Sequence, residues 1–320
     1  MKKVILCSDV ELEASAAIAL LAASPEVELL GIVAGAGRVC METAFENACK
    51  MVGCLGKKIP VVKGTAGPMV ARLNVMRKAW EEPPSWWPAF GLIPEEFSVQ
   101  PNDILQDVCG VIWMINTLMS SPNKVDILTL GPLTDLALAL KIQPEIANHI
   151  DRIVLVGGGH RYTDISGAAE FNIWFDPEAA AIVLHSAVSK YLIPLDCAYS
   201  AGIRESVIYE AVGTDKFGQM IRCLLHPVYE RYEKWFAQKE IPLPMLIGAG
   251  FLCASNVLKD VMNYSVDIDF GGGYADGQTI FDTRRIFDDY NCMTTFAADA
   301  DALLSVIHNC AAAWENRQRT

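Results

Sequence analysis

Ile153-Val154-Leu155-Val156 runs straight into Gly157-Gly158-Gly159. An apolar run of this length, without polar alternation, reads as a strand buried on both faces. The glycines that stop it leave room for backbone close to a ligand. The same pattern repeats outward in both directions. Upstream lie a strand at Val125–Leu130 and a helix at Leu133–Ile142; downstream lie a helix at Pro177–His185 and a strand at Tyr191–Leu195, ending at Asp196. Nearer the start, Val4–Cys7, Val27–Val33 and Ile59–Val62 read as strands, and Ala14–Ala23, Thr43–Leu55 and Val108–Met119 as helices. Apolar strands alternating with helices predict an α/β fold: a mostly parallel central sheet flanked by helices, open and Rossmann-like. Residues 205–262 read as mainly helical, and 264–282 as strands around Gly271-Gly272-Gly273.

Residues 65–105 follow no regular period and hold Pro83, Pro84, Trp86, Trp87, Pro88 and Pro94. They read as an excursion over the surface, a lid or an interface. The Trp86-Trp87 pair has two readings there, stacking on a base or packing. The chain, 1–320, is expected to form a single domain around this excursion.

The formal net charge of -12 argues against a nucleic-acid partner, because phosphate backbones need clustered Lys and Arg. No run is long and apolar enough for a membrane helix, and Asp9, Glu11 and Glu13 interrupt the N-terminal apolar run too early for a signal peptide. A cytoplasmic location is the expectation. The ten cysteines are scattered without metal-ligand spacing and read as reduced, mostly buried thiols.

In open parallel sheets the ligand sits beyond the carboxyl ends of the strands. That rule selects Asp9, the turns at 35–38 and 131–134, and the segments after Val156 and Leu195.

Those segments carry a resemblance. Leu128-Thr129-Leu130-Gly131-Pro132-Leu133-Thr134-Asp135-Leu136-Ala137, Ala169-Glu170-Phe171-Asn172-Ile173, Asp176-Pro177-Glu178-Ala179-Ala180, Ile59-Pro60-Val61-Val62-Lys63-Gly64 and Gly277-Gln278-Thr279-Ile280-Phe281-Asp282 keep the order and spacing of the inosine-uridine preferring nucleoside hydrolases. The resemblance implies that family's fold and N-glycosyl bond hydrolysis of ribonucleosides. It also implies a calcium cofactor, a small-molecule ribosyl ligand or nucleoside as partner, and a homodimer or homotetramer.

Residue by residue, the resemblance makes Asp9 a metal ligand and general base, with Glu13 in place of an aspartate that binds ribose hydroxyls. Asp9 and Glu13 are therefore the catalytic candidates. Glu170, Asn172, Asp164 and Arg38 are the substrate-binding candidates, and Asp9 with the Leu130 backbone carbonyl the metal candidates. The family's acidic opening is altered, because Cys7 and Ala14 stand where it has aspartates, Arg38 and Asp164 where it has asparagines, and Pro242–Gly248 lacks its histidine-aspartate pair. A hard divalent ion takes roughly 6–8 oxygens, several from carboxylates, so calcium is expected to bind weakly or not at all.

Bland roles stand beside these. Asp9 would instead cap the following helix, and Glu11 is a first-turn acid favoured by the helix dipole. Arg38 either pairs with Asp9 or Glu13 in the cleft or faces solvent. Glu170 and Asn172 would otherwise bond local backbone, His160 is structural or exposed, and Cys7 is an inert core thiol. Three functions follow: a ribosyl-binding homologue with lost or changed chemistry, a hydrolase with an altered metal site or none, and a structural or regulatory subunit.

Overall fold

The computed structural model describes residues 1–70, 104–284, 286 and 288–318. The first half alternates β1 (Lys2–Ser8), α1 (Leu12–Ala23), β2 (Val27–Ala34), α2 (Met41–Cys54), β3 (Val61–Lys63), β4 (Ile104–Cys109), α3 (Gly110–Ser120), β5 (Val125–Thr129) and α4 (Thr134–Ile142). Then come β6 (Ile150–Val156), α5 (Phe171–Phe175), α6 (Pro177–Leu184), β7 (Lys190–Ile193), α7 (Leu195–Tyr199), β8 (Ile203–Arg204), α8 (Glu205–Val212) and α9 (Lys216–Phe236). The chain closes with β9 (Glu240–Ile241), α10 (Pro244–Cys253), β10 (Leu258–Lys259), β11 (Met262–Ile268), β12 (Thr279–Asp282), β13 (Cys292–Thr294), β14 (Ala297–Ala298) and α11 (Ala300–Gln318).

The main sheet has the order β12-β11-β13-β7-β6-β5-β1-β2-β3-β4. From β13 to β4 every neighbouring pair is parallel, and β11 is antiparallel to both β12 and β13. Alternation along β1 shows why apolar strands suit this sheet. Val4 and Leu6 enter one core, shared with α1, α2, α9, α10 and α11, while Ile5 and Cys7 enter the other, shared with α3, α4 and α6. Helix α1 is buried on every side, which explains its Ala-rich sequence: small side chains let neighbouring helices close around it.

The order reverses at β1, which lies between β5 and β2. The crevice beyond the carboxyl ends of β1 and β5 is the topological switch point, where open α/β sheets bind ligands.

Some boundaries differ from the sequence reading. The helix expected at Val108–Met119 starts at Gly110, because β4 continues through Cys109 to pair with Lys63. β4 also takes in residues 104 and 105 of the expected excursion; its Trp86-Trp87 pair lies outside the described residues. The strand read at Tyr191–Leu195 ends at Ile193, where Pro194 opens α7. Among the described residues no helix is long and apolar enough to cross a membrane.

Candidate functional site

The site begins with a kink after β1. Val10 adopts a left-handed backbone, φ 40°, a conformation that a β-branched residue takes only when its surroundings enforce it. Two bonds enforce it here: the Val10 N–H donates to Ser8 Oγ (2.9 Å), and Asn47 Nδ2 donates to the Val10 carbonyl (2.9 Å). The kink brings Glu11 to the N-cap of α1, where its carboxylate accepts the Ala14 N–H at 2.9 Å. Glu11, not Asp9, therefore caps the helix.

Asp9 turns under the 35–38 turn. Its Oδ2 accepts the Arg38 backbone N–H at 2.6 Å, and its Oδ1 is buried without a hydrogen-bond partner. Glycines make this close cover feasible. A Cβ at Gly37 would lie 2.4 Å from Asp9 Oδ2, and one at Gly131 would lie 2.8 Å from the Asp9 nitrogen. Asp9 is 1% exposed and is not among the residues lining the adjacent cavity. Burial, then the charge of Glu11, pushes its pKa up to about 7, against the opposing pull of Arg38. Leu130, whose carbonyl was the other metal candidate, is buried and donates its N–H to the Cys7 carbonyl at 2.9 Å.

Glu13, in the first turn of α1, reaches across to α10. Its Oε1 accepts the N–H groups of Met245 (2.8 Å) and Leu246 (3.3 Å). Leu243, at the N-cap of α10, makes no side-chain cap bond, so Glu13 satisfies orphan donors of a helix far away in sequence. Burial, then Glu11, pushes the Glu13 carboxyl up to about 8.

Arg38 follows the glycine turn but does not face solvent; its side chain is 12% exposed. The pairing with Asp9 or Glu13, one of the two readings of Arg38, is corrected on one point: the guanidinium pairs with Asp164, and the hydrogen bond to Asp9 comes from the backbone N–H. The guanidinium carbon also lies 4.5 Å from the centre of the Phe171 ring, within cation–π range. Burial opposes its charge, but Asp164, Glu170 and Asp9 more than offset this and hold its pKa above the ordinary value. The other Asp164 oxygen accepts the Phe171 N–H at 2.9 Å. Salt bridge and ring are thus one unit.

Glu170 and Asn172 line the cavity, and each also bonds local backbone. Glu170 Oε2 accepts the N–H groups of Gly158 (2.7 Å) and Ile173 (3.3 Å), and burial, then Asp164, pushes its pKa up to about 8. Asn172 Nδ2 donates to the Val156 carbonyl at 2.9 Å, which leaves its Oδ1 buried without a hydrogen-bond partner. Gly157 permits this approach: its φ is 157°, and a Cβ there would lie 3.0 Å from Glu170 Oε2.

The cavity measures about 530 Å³, and its lining includes Glu11, Glu13, Arg38, Asp164, Glu170 and Asn172. A second wall is contributed by Tyr199 and by Arg231, Tyr232, Trp235 and Phe236 of α9, which also line the cavity. Those α9 positions recur at helical spacing and form one face. Trp235 and Phe236 are exposed, 49% and 61%. The helical part near 220–250 was expected to carry base-side residues, but these individual side chains were not picked out from the sequence. The amphipathic spacing was a signal for a helix face, but not for which cavity that face meets.

Other polar residues of the region brace the backbone. Asp135 accepts the Thr65 N–H at 2.8 Å. Asp176 accepts the Thr134 hydroxyl (2.6 Å) and the N–H groups of Met69 (2.9 Å) and Ala179 (3.1 Å). Asp196 accepts the N–H groups of His160 and Arg161 at 2.7 and 2.8 Å. The His160 ring packs near Phe281 and Phe296, with centroids 5.8 and 5.6 Å away. Cys7 is buried, and burial, then Asp135, raises its thiol pKa. Among the described residues no group of three or more His, Cys, Asp or Glu side chains is placed to hold a metal ion.

Residues 4–305 match the family described as inosine-uridine preferring nucleoside hydrolase. The pyrimidine-specific ribonucleoside hydrolase RihA of Salmonella arizonae is 31% identical over 273 residues, which cover 83% of this chain and 84% of that protein. RihA of Escherichia coli O45:K1 is also 31% identical over 273 residues, with the same coverage. Among solved structures, an inosine-guanosine nucleoside hydrolase superposes with a TM-score of 0.83 at 20% identity, covering 98% of this chain and 99% of that one. A purine-preferring ribonucleoside hydrolase from Gardnerella vaginalis superposes with a TM-score of 0.81 at 22% identity, covering 98% and 100%.

Proposed function

The chain belongs to the inosine-uridine preferring nucleoside hydrolase family, and on that premise we propose that its cleft binds a ribonucleoside and does not hydrolyse it by a calcium-dependent route. The names of the relatives support the ligand class: RihA is a pyrimidine-specific ribonucleoside hydrolase, and the Gardnerella protein prefers purine ribonucleosides. The dimensions support it too. A cavity of about 530 Å³ falls within the range of small-molecule sites.

In this reading the sugar lies against Glu170 and Asn172. The buried Asn172 Oδ1 lacks a hydrogen-bond partner and would accept a sugar hydroxyl. Such an orphan costs about 1–3 kcal/mol until it is satisfied, so a hydroxyl there contributes to binding. Glu170, holding its proton to about pH 8, would donate to a second sugar oxygen. The base lies toward Tyr232, Trp235 and Phe236, whose rings offer apolar faces.

The chemistry is carried by one observation: a buried guanidinium, paired with Asp164, stands within the electrostatic reach of Glu170 and Asp9. The residues present do not fit calcium. Asp9 gives Oδ2 to the Arg38 N–H and has only Oδ1 left to offer, Glu13 is engaged by α10, and no three His, Cys, Asp or Glu side chains among the described residues converge on one point. Roughly 6–8 oxygens would be needed. Burial pushes the carboxyls of Glu13 and Glu170 up to about 8, which weakens both as proton acceptors and as negative charges beside a cationic sugar.

A second reading, hydrolysis without metal, is favoured by Asp9. A pKa of about 7 suits a general base, provided the 35–38 turn opens to admit water. A hydrolysis assay on a panel of ribonucleosides, with and without calcium and beside an Asp9→Ala control, separates the two. The proposal expects saturable binding with no calcium-stimulated release of free base. Calcium-dependent turnover lost in the control would contradict it, and calcium-independent turnover lost in the control would establish the second reading.

A further inference from the structure

We propose that Arg38 is a built-in cation that excludes divalent metal from this cleft and performs the organising role a bound ion would have. This rests on the calcium-free reading of the cleft and deepens it, from the geometry of Asp9, Arg38, Asp164, Glu170 and Phe171.

One residue here ties down two acids by different means. The Arg38 backbone N–H holds Asp9 Oδ2 at 2.6 Å, and its guanidinium pairs with Asp164. The charge is also locked in position. Its carbon sits 4.5 Å from the centre of the Phe171 ring, and Phe171 is fixed in turn by Asp164, which accepts its N–H at 2.9 Å. Moving the guanidinium away would forfeit the ion pair and the ring contact together. Glu170 lies close enough to favour the charge.

A divalent ion brought to Asp9 would meet this fixed positive charge. Because Asp9 lies under the turn that carries Arg38, an ion would reach its carboxylate only by opening that turn, with the guanidinium charge still beside it. A guanidinium stays charged at any ordinary pH, so the exclusion is constitutive. The consequence for recognition is chemical. A metal ion takes up lone pairs in several directions, whereas an arginine offers a planar set of N–H donors. Whatever enters beside Arg38 must therefore present acceptor oxygens, and its binding is indifferent to chelators.

The test uses the full chain and two ions. Calcium is titrated by calorimetry. Terbium is titrated by luminescence, sensitised through the cavity's Tyr199, Tyr232 and Trp235. Wild type is compared with Arg38→Lys, which keeps the charge, and with Arg38→Ala and Arg38→Met, which remove it; Met keeps an apolar stem against Phe171. Circular dichroism confirms that each variant is folded, and a ribonucleoside melting-temperature shift is recorded separately, so that failure of the ligand reading is not mistaken for failure of this one. Wild type and Arg38→Lys are expected to give no saturable signal at millimolar ion. The charge-removed variants are expected to give a saturable signal at millimolar ion, a gain in affinity of roughly tenfold or more over wild type, as removal of a nearby like charge implies. Stoichiometric calcium binding by the wild type would overturn the proposal whatever the variants do. So would folded Arg38→Ala and Arg38→Met proteins that bind neither ion.

Discussion

Replacing Glu13 by glutamine removes a titrating proton while keeping a hydrogen-bond acceptor, and its effect on stability depends on pH with a defined sign. Glu13 Oε1 holds the N–H groups of Met245 and Leu246 at 2.8 and 3.3 Å; an amide oxygen can accept the same two bonds. Burial holds the folded-state pKa at about 8, against an ordinary 4.5. Below the ordinary value both folded and unfolded chains carry the proton, and the stabilising contribution is complete. As pH rises, the unfolded chain releases the proton first, and the contribution drains until it is gone above about pH 8. At about 1.4 kcal/mol per pH unit, the whole effect is on the order of 4–5 kcal/mol. The Glu13→Gln variant has no such drain. Urea unfolding followed by tryptophan fluorescence at several pH values between 5 and 9 measures the difference. Wild type and variant should agree within about 1 kcal/mol near pH 5, and the variant should be the more stable by several kcal/mol at pH 9. Parallel stability curves for the two proteins over that range would show that Glu13 is ionised throughout, and would refute the account of a protonated cleft floor.

Gly37→Ala should destabilise the chain by about 1–3 kcal/mol, the cost of overpacking, because the new Cβ would lie 2.4 Å from Asp9 Oδ2; thermal unfolding checks it, and an unchanged melting temperature would show that the turn over Asp9 yields freely. Trp235→Ala should leave stability within about 0.5 kcal/mol, since the side chain is 49% exposed, while weakening ribonucleoside binding several-fold in calorimetry. Asn172→Ala should abolish most of the melting-temperature rise given by free ribose while leaving the helical circular dichroism intact.

The sheet was legible because its strands are uninterrupted apolar runs. Val4–Cys7, Val125–Leu130 and Ile153–Val156 were found within a few residues of their true ends, since burial on both faces leaves no polar alternation to confuse with a helix. Boundaries failed where pairing overrode local pattern. Cys109 belongs to β4 because Lys63 pairs with it, and nothing in residues 108–119 announces that contact. Glu170, Asn172, Asp164 and Arg38 were picked out through the family resemblance, and all four line the cavity. The depth of Asp9 was not. It depends on Gly37 and Gly131 closing over it from two other turns, a tertiary fact with no local signature. The partner of Arg38 was hidden for the same reason: Asp164 lies 126 residues away. The α9 wall shows the limit from another side, because amphipathic spacing marks a face without saying what it looks onto.

Calorimetric titration of a ribonucleoside into protein freed of metal by EDTA tests the central claim most directly. The account predicts saturable binding at one site per chain, with the same affinity after calcium is restored. Binding that appears only with calcium, accompanied by release of the free base, would contradict it.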